Sequence, residues 1–547
     1  MGASGFDTRR RALAVCLVAA FMSGLDVSIV NVALPSIREG LRASEDGLQW
    51  TLSGYALTFG LLLIPAGRLG DARSRRAIFM FGVTMFTLSS AACGFAWSMP
   101  VLIVSRLVQG MAAGMLNPQV SGLIQQMFRG YERGRAFGAL GATIGVSTAA
   151  GPLIGGALVT AFGPAGGWRW VFLVNLPIGL ALLPLAHRLL PAPRRPPAPA
   201  PPPPPPSAAP RPAPQRPPTP QTPQTRRPTP VPASGEGTAG STSGHVPPLA
   251  SGHVPPPTPG AAPPPAPEGA SGSERGRRRE SMDPVGVLLL GVGVAGLLLP
   301  FIQRHQWEGN AKWLLIPAAL VVLAGFVAWE RAYRREPLVD LSLFRRRSYS
   351  LGSVIALFYF AGFTGIFFTF TLYLQSGLHY TPLMAGLSIT PFALGSASAS
   401  VVGGRLVSRA GRRVVAVGLA TVILGLSATM VATALVPGPG AGLATALPLL
   451  VAGMGSGLVI SPNQAITLSE VPPAGGGSAA GVLQTGQRLG SSIGIAAAGS
   501  TFFGSLADGW PTAFRHGLTV VLLCVAVALA AALYDLIRTH VGRSAPG

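Results

Sequence analysis

Long apolar segments dominate this chain, and short polar segments rich in arginine separate them. A helix that crosses a bilayer needs about 20 consecutive, mostly apolar residues. Fourteen segments satisfy this requirement and are predicted as membrane spans 1 to 14, near residues 12–34, 49–66, 77–97, 101–127, 135–161, 168–190, 284–302, 312–330, 350–374, 383–403, 414–436, 443–465, 479–504 and 514–537. The Gly-rich segment 479–504 is the least hydrophobic of them. The pattern therefore predicts an all-α integral membrane protein.

Residues 191–283 interrupt this pattern with a different composition. Pro, Ala, Ser, Thr and Gly dominate the segment, which includes an unbroken proline run from Pro201 to Pro206. Such a composition cannot bury enough apolar surface to form a core. We therefore predict a stiff, disordered cytoplasmic linker. It either acts only as a tether or binds a partner that recognises proline-rich segments.

Two arginine-rich loops indicate an internal repeat. The loop from Gly67 to Arg76 follows span 2, and the similar loop from Gly404 to Arg413 follows span 10. Glycines also recur at matching places in spans 4 and 12. The repeat predicts two six-helix bundles, residues 1–190 and 331–547, with two inserted helices in 284–330. Parallel repeats of six helices are typical of alternating-access transporters, whose substrate site lies near the membrane midplane between the halves.

Composition and charge agree with a membrane location. The chain is 49% hydrophobic and only 11% charged, whereas soluble domains carry about 25% charged residues. The net charge of +22 does not indicate nucleic-acid binding, because the arginines lie in short clusters between apolar segments. Apart from Lys312 the positive charge is all arginine, which favours a GC-rich bacterial genome.

Arginine placement also predicts the orientation. The loops on one side hold 22 arginines, and those on the other hold six basic residues, leaving out the linker. Basic residues accumulate on the cytoplasmic side of a membrane. With an even number of spans, this distribution places both termini in the cytoplasm and the protein in the plasma membrane.

Charged side chains within predicted spans require an explanation. Asp26 is in span 1 and Arg106 is in span 4. Burying a charge at the bilayer centre costs about 2.5 kcal/mol or more, so such residues usually have a function. Asp26 either takes up and releases protons, pairs with a cationic substrate or forms a fixed ion pair. Arg106 either keeps a carboxylate charged until the two separate or bonds to backbone carbonyls.

Four motifs resemble those of the major facilitator superfamily, in its fourteen-span drug/proton antiporter branch. They are Leu25-Asp26-Val27 with Asn31 to Pro35, the loop from Gly67 to Arg76, Arg106 to Gly110, and Gly151-Pro152-Leu153-Ile154-Gly155-Gly156. The resemblance covers every span and leaves out only the linker. It implies proton coupling by Asp26 and Arg106, and an antiporter motif formed by Gly151, Pro152, Gly155 and Gly156.

The resemblance also implies a cytoplasmic gate formed by Gly67, Asp71, Arg75, Arg76 and Glu132. We expect Asp71 to meet the positive N-terminal end of span 11, near Val414. Glu132 is expected to pair with Arg75 or Arg76. Where the family pattern has Arg and Gly, this loop has Ala72 and Ser74, which predicts a weaker or differently shaped latch. The alternative is that these arginines only enforce topology.

Other polar and aromatic residues at membrane depth are candidates for lining a substrate cavity: Trp50, Tyr55, Gln109, Asn117, Gln487 and Arg488. Hydrogen bonds between helices would explain the amides equally well. Trp50 also fits a position at the membrane interface. Arg488 is the best candidate, because a charge within a span requires a partner.

No pattern indicates enzyme chemistry, a metal or a cofactor. The histidines have no metal-ligand spacing, and no glycine-rich phosphate loop with a lysine is present. An ion gradient is therefore the expected energy source. The leading hypothesis is a proton-driven exporter of hydrophobic, cationic or aromatic small molecules that acts as a monomer in the lipid bilayer. The alternatives are a dedicated exporter of one metabolite and a transport-inactive sensor or scaffold.

Overall fold

The computed structural model describes residues 3–163, 166–191, 283–302, 310–333 and 337–544, and these are almost entirely helical. The helices of this part of the chain are α1 (Ala3–Leu41), α2 (Glu45–Leu69), α3 (Arg75–Gly94), α4 (Met99–Met127), α5 (Gly130–Phe162), α6 (Gly167–Leu173), α7 (Asn175–Leu189), α8 (Pro284–Ile302), α9 (Leu315–Ala332), α10 (Arg347–Leu372), α11 (Pro382–Ala410), α12 (Arg412–Leu435), α13 (Ala441–Ala444), α14 (Ala446–Thr467), α15 (Gly476–Gly504) and α16 (Trp510–Ser544). The all-α class predicted from the sequence is confirmed.

Each predicted span coincides with a helix, although the boundaries differ. Span 6 consists of two helices, α6 and α7, which meet at Val174. Eleven segments of the described residues are long and apolar enough to cross a bilayer, and one of them, Gly47–Gly94, contains both α2 and α3. A total of fourteen spans stays a prediction. The predicted linker, residues 191–283, lies outside the described residues except at its first and last positions.

The connection between α2 and α3 is a short turn. Gly70–Ser74 forms one π-helical turn that ends at Ser74, whose backbone is extended. The hydroxyl of Ser74 accepts a hydrogen bond from the Ala77 amide at 3.2 Å to start α3. Across this turn Arg75 Nε donates to Asp71 Oδ1 at 2.9 Å. This turn positions the first of the two arginine-rich loops.

The repeat is visible in the packing within each half. Glycines of α4 and α14 leave no room for a Cβ against a neighbouring helix backbone. The matching contacts are Gly110 on Tyr55, Gly114 on Phe59, Gly453 on Phe392 and Gly457 on Ser396. Both halves therefore use the same helix register, with α2 corresponding to α11 and α4 to α14.

A second set of contacts aligns α1 with α10 and α5 with α15. The close approaches are Gly24 with Ser147 and Ser28 with Gly151 in the first half, and Leu357 with Gly490 and Ala361 with Gly494 in the second. Asp26 lies midway between Gly24 and Ser28. Its counterpart in the second half is therefore Tyr359, midway between Leu357 and Ala361.

The two halves meet along two pairs of helices. At the ends near the arginine-rich loops, α2 approaches α15 and α11 approaches α5. The closest backbone contacts are Gly67 with Gly477, Leu63 with Gly481, Gly404 with Gly134 and Ser400 with Gly138. Each interface uses glycine to bring two helix backbones together. The symmetry of the repeat therefore extends across the boundary between the halves.

Candidate functional site

A buried ion pair between α1 and α4 is the centre of the candidate site. The Nη1 group of Arg106 donates to Oδ2 of Asp26 at 2.6 Å. Asp26 is fully buried and Arg106 is 1% exposed. Because a guanidinium does not lose its proton in practice, Arg106 places a fixed positive charge beside the Asp26 carboxyl group. The sequence could not give this distance, and the role of Arg106 in proton coupling stays a prediction.

Two amides complete the environment of the Asp26 carboxylate. Gln109 Nε2 donates to Oδ1 at 2.8 Å, and Asn175 Nδ2 donates to the same oxygen at 3.1 Å. Gln109 also donates to the Ser90 hydroxyl at 2.6 Å. Asn175 is the first residue of α7, so the break after α6 places its side chain beside Asp26. Side chains of α4 and α7 thus meet the carboxylate of α1, and Ser90 of α3 supports the two amides.

Arg106 is held by further contacts on its other sides. Its Nε donates to the Thr51 carbonyl at 3.1 Å, and its Nη1 donates to Gln109 Oε1 at 2.7 Å. The guanidinium carbon lies 4.1 Å from the centre of the Tyr55 ring, in a cation–π contact. In this conformation no oxygen of Asp26 is open to water.

Asp71 links the two halves at the predicted gate. Its carboxylate accepts hydrogen bonds from the amides of Gly477 and Ser478 at 3.0 and 2.7 Å, and from the Ser478 hydroxyl at 2.9 Å. These groups belong to the N-terminal turn of α15, where unpaired amides and the helix dipole attract an anion. The expected partner near Val414 was wrong: that helix is α12, whereas α2 packs against α15 through Gly67 and Gly477.

Arg75 and Arg76 have partners other than Glu132. Arg75 bonds to Asp71 through Nε at 2.9 Å and Nη2 at 2.5 Å, and donates across the halves to the Pro473 carbonyl. Arg76 donates to the carbonyl of His187 at the end of α7. Within the described residues neither arginine pairs with Glu132, so that expectation was wrong. Arg75 is buried beside Asp71 and bonds to the Asp71 carboxylate.

A family model and several known proteins match this chain. The family model of the Major Facilitator Superfamily matches residues 16–495. The chain belongs to the major facilitator superfamily. It is 32% identical over 515 residues to the "Probable actinorhodin transporter" of Streptomyces coelicolor, covering 92% of this chain and 74% of that protein.

Two further comparisons agree with that membership. The transporter is 30% identical to "Multidrug resistance protein Stp" of Mycobacterium tuberculosis, covering 88% of this chain and 73% of that protein. Its fold matches the proton:xylose symporter XylE with a TM-score of 0.58 and 14% identity, covering 97% of this chain and 95% of that one. It is thus a multi-pass membrane protein of the plasma membrane, in a family of small-molecule transporters.

The predicted antiporter motif of this transporter has two faces. Gly151 and Gly155 lie against Ser28 and Ile29 of α1, next to the Asp26 site. Pro152 contacts α11 of the other half at Gly386, and Gly156 lies on the same face. Ser28 also donates a hydrogen bond to the Ser147 carbonyl at 3.0 Å. The motif therefore ties the helix of Asp26 to the boundary between the halves.

The predicted cavity residues fall into different environments. Gln109 and Tyr55 are buried in the ion-pair cluster. Asn117 is half-buried and donates to the Ala113 carbonyl at 3.0 Å. Trp50 and Gln487 are half-buried on α2 and α15. Arg488 is also half-buried, and its guanidinium carbon lies 4.1 Å from the centre of the Phe59 ring.

Sequence reasoning missed several residues of the site. No role was predicted for Asn175, yet its side chain bonds to Asp26. Ser90 and the Thr51 carbonyl support Gln109 and Arg106. Ser478, the hydroxyl partner of Asp71, follows three glycines at the start of α15. A glycine run followed by serine before a span is the signal that indicates an anion-binding helix start.

Proposed function

We propose that this transporter exports small, largely apolar, antibiotic-like molecules from the cell in exchange for protons, by alternating access. The relatives named as an actinorhodin transporter and a multidrug resistance protein support export of such compounds. The buried Asp26–Arg106 pair supports proton exchange. Both bundles and the site lie in one chain, so a monomer suffices. The proposal includes cytoplasmic termini and the division into two bundles with two inserted helices.

The Asp26–Arg106 pair is the observation that carries the proton coupling. While paired, the carboxylate is stabilised in its charged form by Arg106, Gln109 and Asn175. A conformational change that separates Asp26 from Arg106 would leave a buried carboxylate, which favours its protonated form. The two conformations then differ in proton affinity, and this difference couples the proton gradient to the motion of the halves.

The gate supports the alternating-access part of the proposal. Asp71 and Arg75 join α2 and α3 to the start of α15, at the end of the molecule that we assign to the cytoplasm. The described conformation is closed at that end. Breaking the Asp71 contacts would let the halves separate at the cytoplasmic end. The gate contacts and the Asp26–Arg106 pair would then form and break in alternation.

Reconstitution into liposomes tests the proposal. The full-length protein is reconstituted with an imposed pH gradient, and uptake of aromatic fluorescent compounds of different charge is followed. Wild type is expected to move cargo only with the gradient. Asp26→Asn should abolish gradient-driven transport. The double variant Asp26→Asn with Arg106→Gln removes both charges and controls for misfolding; gradient-driven transport by either variant would contradict the role of Asp26.

Two alternatives have their own readouts. A dedicated exporter would move one compound of the panel, whereas a multidrug exporter would move many. A transport-inactive sensor would move none. Deletion of residues 196–275 separates a tether from a signalling segment: we expect transport to survive the deletion.

A further inference from the structure

Arg488 is a charged residue at the boundary between the halves. It is the thirteenth of the 29 residues of α15, and its guanidinium lies over the Phe59 ring of α2. Among the residues that the structure describes, the guanidinium makes no ion pair and no hydrogen bond. A charge at that depth is costly unless it pairs with another group. The side chain therefore has donors available for a group that is not part of the described protein.

In the internal repeat, the position equivalent to Arg488 is a glycine. Gly477 and Gly481 of α15 correspond to Gly134 and Gly138 of α5, from their matched contacts across the halves. Seven residues beyond each second glycine, α15 has Arg488 and α5 has Gly145. Gly145 lies against the backbone of Ala397 in α11. One interface thus continues to pack through glycine, whereas the other carries an arginine.

The carboxylates inside the described spans have other partners. Asp26 pairs with Arg106, and Asp71 bonds to Arg75 and to the start of α15. Asp535 pairs with Arg412 at 2.9 Å. Glu330, near the end of α9, accepts a hydrogen bond from the Leu338 amide at 3.2 Å. No acid in the described region contacts Arg488.

Tyr55 supplies an independent indication of a ligand. It is 3% exposed, and within the described part of the chain its hydroxyl has no hydrogen-bond partner. It lies one turn before Phe59 on α2, with the two ring centres 6.0 Å apart, and Phe59 is the ring that the Arg488 guanidinium covers. A buried hydroxyl without a partner is costly, so an acceptor atom of a bound molecule would satisfy it. Arg488 and Tyr55 are both donors, whereas a cation needs acceptors.

We propose that Arg488, Phe59 and Tyr55 bind the acidic group of an aromatic cargo, a carboxylate or a phenolate. Arg488 supplies a charge-assisted hydrogen bond, Phe59 supplies a ring face beside it, and Tyr55 donates a second hydrogen bond. The inference rests on the proposed export function and specifies its substrate class. It replaces the expectation of a cationic substrate with an anionic one.

Binding to purified full-length protein in detergent tests the inference directly. The probes are 1-pyrenebutyrate, its methyl ester and the corresponding primary amine, which share one aromatic ring system. Wild type should bind the carboxylate about tenfold more tightly than the ester, as one charge-assisted bond of about 1.4 kcal/mol provides. Arg488→Gln should remove that preference without weakening the ester. Arg488→Lys should keep part of it.

Arg515→Gln is the matched control, because Arg515 is exposed and, within the described part of the chain, its side chain bonds only to Thr512 of its own helix. It should leave all three affinities unchanged. Tighter binding of the amine than of the carboxylate would overturn the inference. Equal loss of carboxylate and ester binding in Arg488→Gln would do the same, since it indicates a structural role.

The outcome is separable from that of the proposed function. Binding is measured without a gradient, and transport is measured in liposomes with one. A carboxylate preference without gradient-driven transport would leave the Arg488 site standing and remove proton coupling. Gradient-driven transport of the ester and the amine, with no preference for the carboxylate in binding, would leave the exporter standing and remove the anionic site.

Discussion

Asp26 and Tyr359 occupy equivalent positions in the two halves, yet their surroundings differ in charge. Asp26 pairs with Arg106 and accepts from two amides. Tyr359 is 1% exposed and donates to the Ser456 hydroxyl at 2.7 Å. The counterpart of Arg106, four residues before the matched glycine, is the buried apolar residue Leu449. The same bundle is thus built once around an ion pair and once around a neutral hydroxyl pair.

This contrast separates stability from function. A bundle with this packing does not need an ion pair at this position, since the second half has Tyr359 and Leu449 there. Replacing a buried ion pair with apolar groups is often neutral or stabilising. The first half therefore retains its pair for a purpose other than stability, which agrees with proton exchange. We propose a different role, recognition of the cargo, for Arg488 on the second half.

The two arginine-rich loops differ in a parallel way. Arg75 and Arg412 are equivalent, but Arg75 donates across the halves to Pro473 whereas Arg412 bonds within its own half to Asp535 and Asn463. Asp71 has Ser408 as its counterpart, which is exposed. Arg75 therefore joins the halves by a hydrogen bond, whereas the equivalent Arg412 bonds within its own half.

The largest expected effect concerns the two equivalent buried positions. Asp26→Asn leaves Arg106 buried without a counter-charge, so we expect a loss of about 3–5 kcal/mol in stability. Tyr359→Phe removes one hydrogen bond and should cost about 1 kcal/mol. Thermal unfolding in detergent gives both values. Equal losses would mean that the two sites are alike and that the charge has no special status.

Adding Arg106→Gln to Asp26→Asn sharpens the same comparison. The double variant has no unpaired charge and should recover much of the lost stability, while gradient-driven transport stays absent. The same unfolding assay and the liposome assay measure these two properties on one preparation. Recovery of transport together with stability would show that the pair is structural.

The next effect concerns the two loops. Asp71→Asn weakens charge-assisted bonds to the start of α15, and we expect transport to fall about tenfold, equivalent to about 1.4 kcal/mol on the gating step. Ser408→Ala, at the equivalent position, should change transport less than twofold, since its hydroxyl contacts only the Arg405 carbonyl. Initial rates in liposomes measure both. A matching loss in Ser408→Ala would contradict the assignment of the gate to one loop.

The smallest effect on transport is expected at Asp535. It pairs with Arg347 at 3.0 Å and with Arg412 at 2.9 Å, both within the second half. Asp535→Asn should lower the unfolding free energy by about 1.5–3 kcal/mol and leave transport within about twofold of wild type at a temperature where the variant is folded. A transport loss as large as that of Asp71→Asn would place this cluster in the gating machinery.

Much of the fold could be predicted, because long apolar segments, arginine loops and repeated glycines are local signals. The sequence also indicated Asp26 and Arg106 as candidate site residues, because a charge within a membrane span is rare. It did not indicate which residues support them. Asn175 and Ser90 are common residues in apolar helices, and only convergence of α1, α3, α4 and α7 gives them a role.

The partner of Asp71 illustrates the other limit. The start of any span offers unpaired amides, so sequence could identify an anion-binding helix end but not which one. It favoured the helix near Val414, whereas the close approach of Gly67 to Gly477 selects α15. The choice depends on which helices face each other across the halves, and that is a long-range property.

By itself, the sequence determined that the chain forms apolar helices in two related sets, with a carboxylate and two arginines at membrane depth. Hydrophobic length and charge placement act locally, so they can be read along the chain. The tertiary structure decided that Asp26 meets Arg106, that Asp71 meets α15 and that Arg488 is left facing Phe59. Those outcomes depend on which helix faces pack together, and the packing involves residues far apart in sequence.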